Sequence, residues 1–68
     1  MEESANIGEK IKKWRKKREL TQDSLARKAN IPYTSLAKIE SGVIENPSIK
    51  TVSKIAKGLN VTLDQLMN

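Results

Sequence analysis

Between Pro32 and Ser41 the chain carries Tyr33, Thr34, Ser35 and Lys38, a phenol, two hydroxyls and an ammonium within one short segment. Such groups donate and accept hydrogen bonds and neutralise anions, but alone they supply no nucleophile–base pair. Leu36 and Ile39 stand three residues apart and define one apolar stripe if the segment is helical, which leaves Tyr33, Thr34, Ala37 and Lys38 off that stripe. A short helix with two apolar anchors and an exposed face of hydrogen-bonding side chains is suited to being held against something polar.

Catalytic alternatives lack parts. The chain has no histidine, no cysteine and no glycine loop that could cradle a phosphate, and Asp23, Glu40 and Asp64 form no obvious pair on one face. Disulfide staples and the common zinc sites are excluded, which points to a reducing compartment and to no enzyme, no cofactor and no evident small-molecule site. Asp23-Ser24-Leu25 matches the attachment triplet of acyl carrier proteins, but those are strongly acidic, whereas this chain carries a net charge of +5.

The elements around Pro32–Ser41 follow from local signals. Thr21 caps a helix that buries Leu25, Ala26 and Ala29, and Asp23 places a negative charge in its first turn. Asn30 tolerates a left-handed backbone and ends that helix, and Pro32 pre-sets the dihedral for the next. Gly42 stands where this second helix stops.

The run Leu-Thr-Gln-x-x-Leu-Ala-x-x-Ala-Asn-Ile-x-x-x-x-Leu-x-Lys-Ile-Glu-x-Gly, from Leu20 to Gly42, resembles the helix-turn-helix of the phage lambda repressor and Cro family, also called XRE-type. The likeness extends from about Ile7 to Met67. It implies an all-α, compact five-helix bundle of the lambda repressor-like kind, over 7–68, that binds double-stranded DNA as a transcriptional regulator, with repression the expected outcome. In that family the N-terminal part of helix three enters the major groove and helix two lies across the backbone. Carried over by position, Tyr33, Thr34 and Lys38 occupy the base-reading face, and Gln22 falls where the family uses a glutamine for phosphate or base contact. Ser35 lies nearer the backbone-facing side, and Thr21 either reaches a phosphate or does no more than cap. The resemblance also pairs Arg15 with Glu40, which suits a planar guanidinium and a carboxylate and makes Arg15 structural first. Domains of this type also serve as antitoxins or protein-binding adaptors, the alternative reading.

The flanks fit the same plan. Residues 1–6 lack apolar periodicity and read as a flexible arm whose two glutamates suit a minor groove poorly. From Ile7 to about Arg18, Ile7, Ile11 and Trp14 define one buried face, with Trp14 anchoring the core. Seven of the thirteen basic residues fall between Lys10 and Arg18, and those other than Arg15 are plausible phosphate neighbours. The loop Gly42–Pro47 carries Glu45 and no cation, a departure from the family that leaves phosphate contact to backbone amides; Val43 and Ile44 pack locally or face a partner subunit. Ser48 caps a fourth helix burying Ile49, Val52, Ile55, Ala56 and Leu59. Thr62 and Gln65 form a capping box for a fifth, with Leu63, Leu66 and Met67 inward. The longest apolar run is too short to span a bilayer and Met1-Glu2-Glu3-Ser4 lacks signal-peptide order, so no membrane partner and a cytoplasmic location are expected. A single module of this size buries limited surface on DNA, so a homodimer reading two half-sites is expected, through helix five and the Val43–Ile44 loop.

Overall fold

The computed structural model describes residues 6–68. Five helices follow one another: α1 (Ile7–Lys17), α2 (Gln22–Ala29), α3 (Tyr33–Ser41), α4 (Ile49–Leu59) and α5 (Leu63–Met67). The all-α five-helix architecture expected from the sequence is the one observed.

The start of each helix is written in one side chain. Asn6, counted with the arm in the sequence reading, accepts from the Glu9 amide at 3.0 Å and belongs to α1. The rest of that proposed arm, residues 1–5, lies outside the described residues. Thr21 accepts from Ser24 N at 3.0 Å, Ser48 from Thr51 N at 3.2 Å, and Thr62 and Gln65 close a reciprocal capping box at 3.0 and 2.9 Å. Each bond satisfies an amide that has no partner inside the helix. Ser24 is thereby tied into the cap of α2, with its hydroxyl accepting from Thr21 as well.

The helix ends share a device the sequence reading saw only in part. Glu19, Asn30 and Asn60 adopt φ of 58°, 60° and 61°, in the left-handed region. The residues that follow them, Leu20, Ile31 and Val61, donate to carbonyls five positions back, Arg15, Ala26 and Ala56, at 2.9, 3.0 and 3.0 Å. This is the bond pattern of a Schellman motif, and its apolar follower normally packs against the helix it has just left. Here all three followers are half-buried against the core. Each turn therefore ends a helix and returns a hydrophobic side chain to the interior in one step.

That interior consists of Ile11, Leu25, Leu36, Ile39, Ile55, Leu59 and Leu66, with Ala26, Ala29, Val52 and Ala56 between them. α2 packs most extensively on α4, and α1 bridges α3 and α5. Two glycines allow close approach. A Cβ on Gly8 would run into the Ile39 carbonyl and lie 3.0 Å from that of Glu40, and one on Gly58 would lie 3.0 Å from Ala29 N.

Three expected core positions differ. Ile49 is 66% exposed, because as the first residue of α4 it precedes the turn where the buried stripe begins at Val52. Met67 is also exposed, at the open end of a five-residue helix. Trp14 packs at the rim of the core and not in its centre. Lys17 Nζ and Arg18 Cζ lie 5.1 and 5.4 Å from its ring centroid, within cation–π range.

Two substitutions of opposite sign test these features. Glu19→Asn removes most of the steric penalty of a left-handed side chain and should raise the melting temperature by a few degrees, equivalent to roughly 0.5–1 kcal/mol. Gly8→Ala pushes a methyl into backbone that cannot give way and should destabilise by about 1–3 kcal/mol. Thermal unfolding followed by circular dichroism measures both; an unchanged Gly8→Ala melt would mean that α1 does not sit this close to α3.

Candidate nucleic-acid interface

α3 buries one side and opens the other. Leu36, Ile39 and Glu40 are buried, whereas Tyr33 is 49% exposed and Thr34 and Lys38 are exposed. Thr34 and Lys38 are four apart and so neighbours on one face. Ser35 and Ala37 are half-buried at the margins.

The N-terminus of α3 lacks a side-chain cap. Among the five helices it is the one whose N-cap, here Pro32, makes no side-chain hydrogen bond; its first turn, like that of α4, holds no acidic residue. Ser35 N and Leu36 N reach the Pro32 carbonyl at 3.1 and 3.2 Å, and the amides of Tyr33 and Thr34 have no partner among the described residues. The positive end of the helix dipole thus emerges beside the Thr34 hydroxyl, an arrangement that favours an anion or an acceptor.

What holds this face in place is a buried charge. Glu40 is only 4% exposed and accepts from Arg15 Nε at 2.9 Å and Arg15 Nη2 at 3.0 Å, a two-pronged contact between α3 and α1. Arg15 Nη1 also donates to the Leu20 carbonyl at 3.0 Å, which ties in the α1–α2 connection. A third donor reaches the same carboxylate: Gln22 Nε2, at 3.0 Å from Oε1. Three elements therefore converge on Glu40. The sequence offers Gln22 by resemblance alone, as a DNA contact, and gives no signal of its bond to Glu40, which only the fold brings together. Thr21, by contrast, is exposed and occupied as the α2 cap.

The cations of α1 divide in a way that sequence position hides. Arg18 donates to the Leu59 and Asn60 carbonyls at 3.1 and 3.4 Å, closing the C-terminus of α4. Lys10 donates to the Met67 carbonyl, linking α1 to α5, and Lys17 sits over Trp14. Three members of the basic cluster thus serve α4, α5 and the core rim. In the α3–α4 loop, Ile44 N reaches back to the Lys38 carbonyl at 3.0 Å and Ile44 packs inward, while Val43 is 71% exposed. Among the described residues no helix is long and apolar enough to cross a membrane.

Comparison with known proteins places this geometry. A helix-turn-helix family model matches residues 11–66. The chain is 36% identical over 62 residues to the HTH-type transcriptional regulator SinR of Bacillus licheniformis, covering 91% of this chain and 56% of that protein. It is 39% identical over 61 residues to the immunity repressor protein of Bacillus phage phi105, covering 90% and 42%. The chain therefore spans about half the length of the curated relatives it matches. The crystal structure of SinR, a master regulator for biofilm formation, in complex with DNA aligns with a TM-score of 0.85 at 34% identity, covering 91% of this chain and 98% of that one.

The Glu40 network makes a stability prediction independent of any ligand. Arg15→Ala leaves a carboxylate buried without its cation and should destabilise the fold by roughly 3–5 kcal/mol. The double variant Arg15→Leu, Glu40→Leu, which removes both charges, should melt higher than Arg15→Ala. Urea titration of the pair gives the comparison, and equal stability of Arg15→Ala and the native chain would show that the ion pair does not hold α1 to α3.

Proposed function

We propose that this chain, which belongs to the helix-turn-helix family, binds double-stranded DNA sequence-specifically and regulates transcription, as a repressor, with the exposed face of α3 in the major groove. The observation that carries this reading is the exposure of Tyr33, Thr34 and Lys38 on one short helix that begins without a side-chain cap, over a buried network that fixes its angle. The likeness to SinR and to a phage immunity repressor supports it.

In this reading each side chain has a distinct task. Lys38 donates to guanine O6 and N7, Thr34 lays its methyl on a thymine methyl or hydrogen-bonds a base, and Tyr33 contacts a base or a phosphate. Ser35 stands at the backbone, with the Tyr33 and Thr34 amides as further phosphate donors, and Thr21 does no more than cap α2. The module acts by binding and not by catalysis, and a cytoplasmic location fits that reading. One domain buries only about 600–1,000 Å² on DNA, so the working form is a homodimer on an inverted repeat with half-site centres about 34–36 Å apart.

Selection from a randomised duplex library tests the reading. An enriched inverted repeat is the expected outcome; no enriched motif at moderate salt would overturn it and leave a protein-binding adaptor. Lys38→Ala should then weaken the selected site by about 1–3 kcal/mol while leaving random duplex binding nearly unchanged, as measured by fluorescence anisotropy. An equal loss on both would move Lys38 to a phosphate.

A further inference from the structure

α1 turns Gly8 and Arg15 toward α3, where Gly8 lies against the Ile39 and Glu40 carbonyls and Arg15 holds the Glu40 carboxylate. Lys13 and Lys17, four residues apart, stand on the opposite side of the same helix. Between them and Trp14 runs an open groove of about 350 Å³, room for a large apolar side chain. Its polar side-chain atoms are all donors. Both lysines are exposed, and the ion pairs among the described residues, Arg15 with Glu40 and Arg27 with Asp23, include neither of them. Glu9, the acidic residue of α1, stands four before Lys13 without pairing to it. Trp14 is half-buried against the core, and its indole N–H meets no acceptor among the described residues. Like charges four apart on a helix repel, so the Lys13 and Lys17 pair weakens the free domain and is relieved when an anion sits between them.

We infer that this groove is a docking site for an acidic peptide segment of a partner protein, which seats an apolar side chain against Trp14 and flanks it with carboxylates for Lys13 and Lys17. Carboxylates match donors that lack acceptors, and a half-exposed tryptophan between cations is the kind of anchor on which protein interfaces concentrate their binding energy. A nucleic acid fits less well. Lys17 Nζ and Arg18 Cζ already lie 5.1 and 5.4 Å from the ring centroid and the core backs the ring, so a base has no bare face to stack on. Because the groove looks away from α3, the peptide and a ligand of α3 can be held at once. The inference does not depend on what α3 binds.

Fluorescence anisotropy without duplex DNA tests it, using labelled probes of equal charge: a short peptide with a leucine set among glutamates, polyglutamate, and a single-stranded oligothymidine. The leucine peptide should bind with a dissociation constant on the order of 10 μM, and polyglutamate about tenfold more weakly. Lys13→Gln combined with Lys17→Gln, both at exposed positions, should weaken the leucine peptide by about tenfold while the melting temperature holds. Trp14 is the chain's one tryptophan, so its emission should shift as the unlabelled leucine peptide saturates the groove. Equal affinity for the leucine peptide and polyglutamate overturns the inference, because charge attraction then needs no seat for an apolar side chain. Tighter binding of the oligothymidine overturns it in favour of a nucleic-acid surface, and an undiminished affinity in the double lysine variant, or no binding of any probe, overturns it outright. Glu2→Gln with Glu3→Gln should change nothing; peptide binding that appears only in that variant would give the groove to the chain's own N-terminal carboxylates and overturn the assignment to a partner.

Discussion

The structure depends on neutralising one carboxylate. Glu40 is buried at the junction of α1, α2 and α3, where an unpaired charge would be strongly destabilising, and three hydrogen bonds from Arg15 and Gln22 meet it. The consequence is geometric as much as energetic. A two-pronged guanidinium contact has little angular freedom, so the angle of α3 against α1 is set by the same bonds that satisfy the charge. Gly8 works on the same pair of helices by letting the α1 backbone come against the Ile39 and Glu40 carbonyls. The outward face of α3 is thus held from behind by an ion pair and a backbone contact, and none of the residues on that face is needed to hold it.

That division matters because the domain is small. With a core of eleven side chains among the described residues, none of them aromatic, stability also has to come from how little of the chain is left unsatisfied. Four of the five helices start on a side-chain cap, and α1, α2 and α4 end in a left-handed turn that sends an apolar residue back inward. Only α3 begins without such a cap. There the backbone carbonyl of Pro32 takes the place of a side chain, accepting from Ser35 N at 3.1 Å.

Much of the fold could be read from the sequence, because caps and helix stops are local: Thr21, Ser48, Thr62, Asn30, Gly42 and Asn60 all act within a few residues of themselves. What could not be read is where that locality ends. Glu19 gives no warning that it will take a left-handed backbone, since its type does not favour one, and Leu20, Ile31 and Val61 look like loop residues until the turn before each is known to fold back. Ile49 satisfies the helical period of α4 yet is exposed, since periodicity gives a direction but not whether any element lies there. In the candidate site, the face of α3 followed from spacing, but the second partner of Glu40, Gln22, lies 18 residues away in sequence and needed coordinates.

The basic cluster shows why charge counts mislead at this scale. Seven cations within Lys10–Arg18 suggest a single phosphate-binding face, but an eleven-residue helix turns through every direction, so consecutive cations cannot all point the same way. Arg15 goes to Glu40, Arg18 to the carbonyl end of α4, Lys10 to that of α5, and Lys17 to the face of Trp14. Two of these place a cation at the negative end of a helix dipole, where it stabilises the fold whether or not DNA is present. The remaining lysines of α1 still raise the on-rate for a polyanion through the long-range field, which depends on net charge and not on contact. Direction, by contrast, is fixed for the groups that α3 presents, because Glu40 and Gly8 hold that helix from behind.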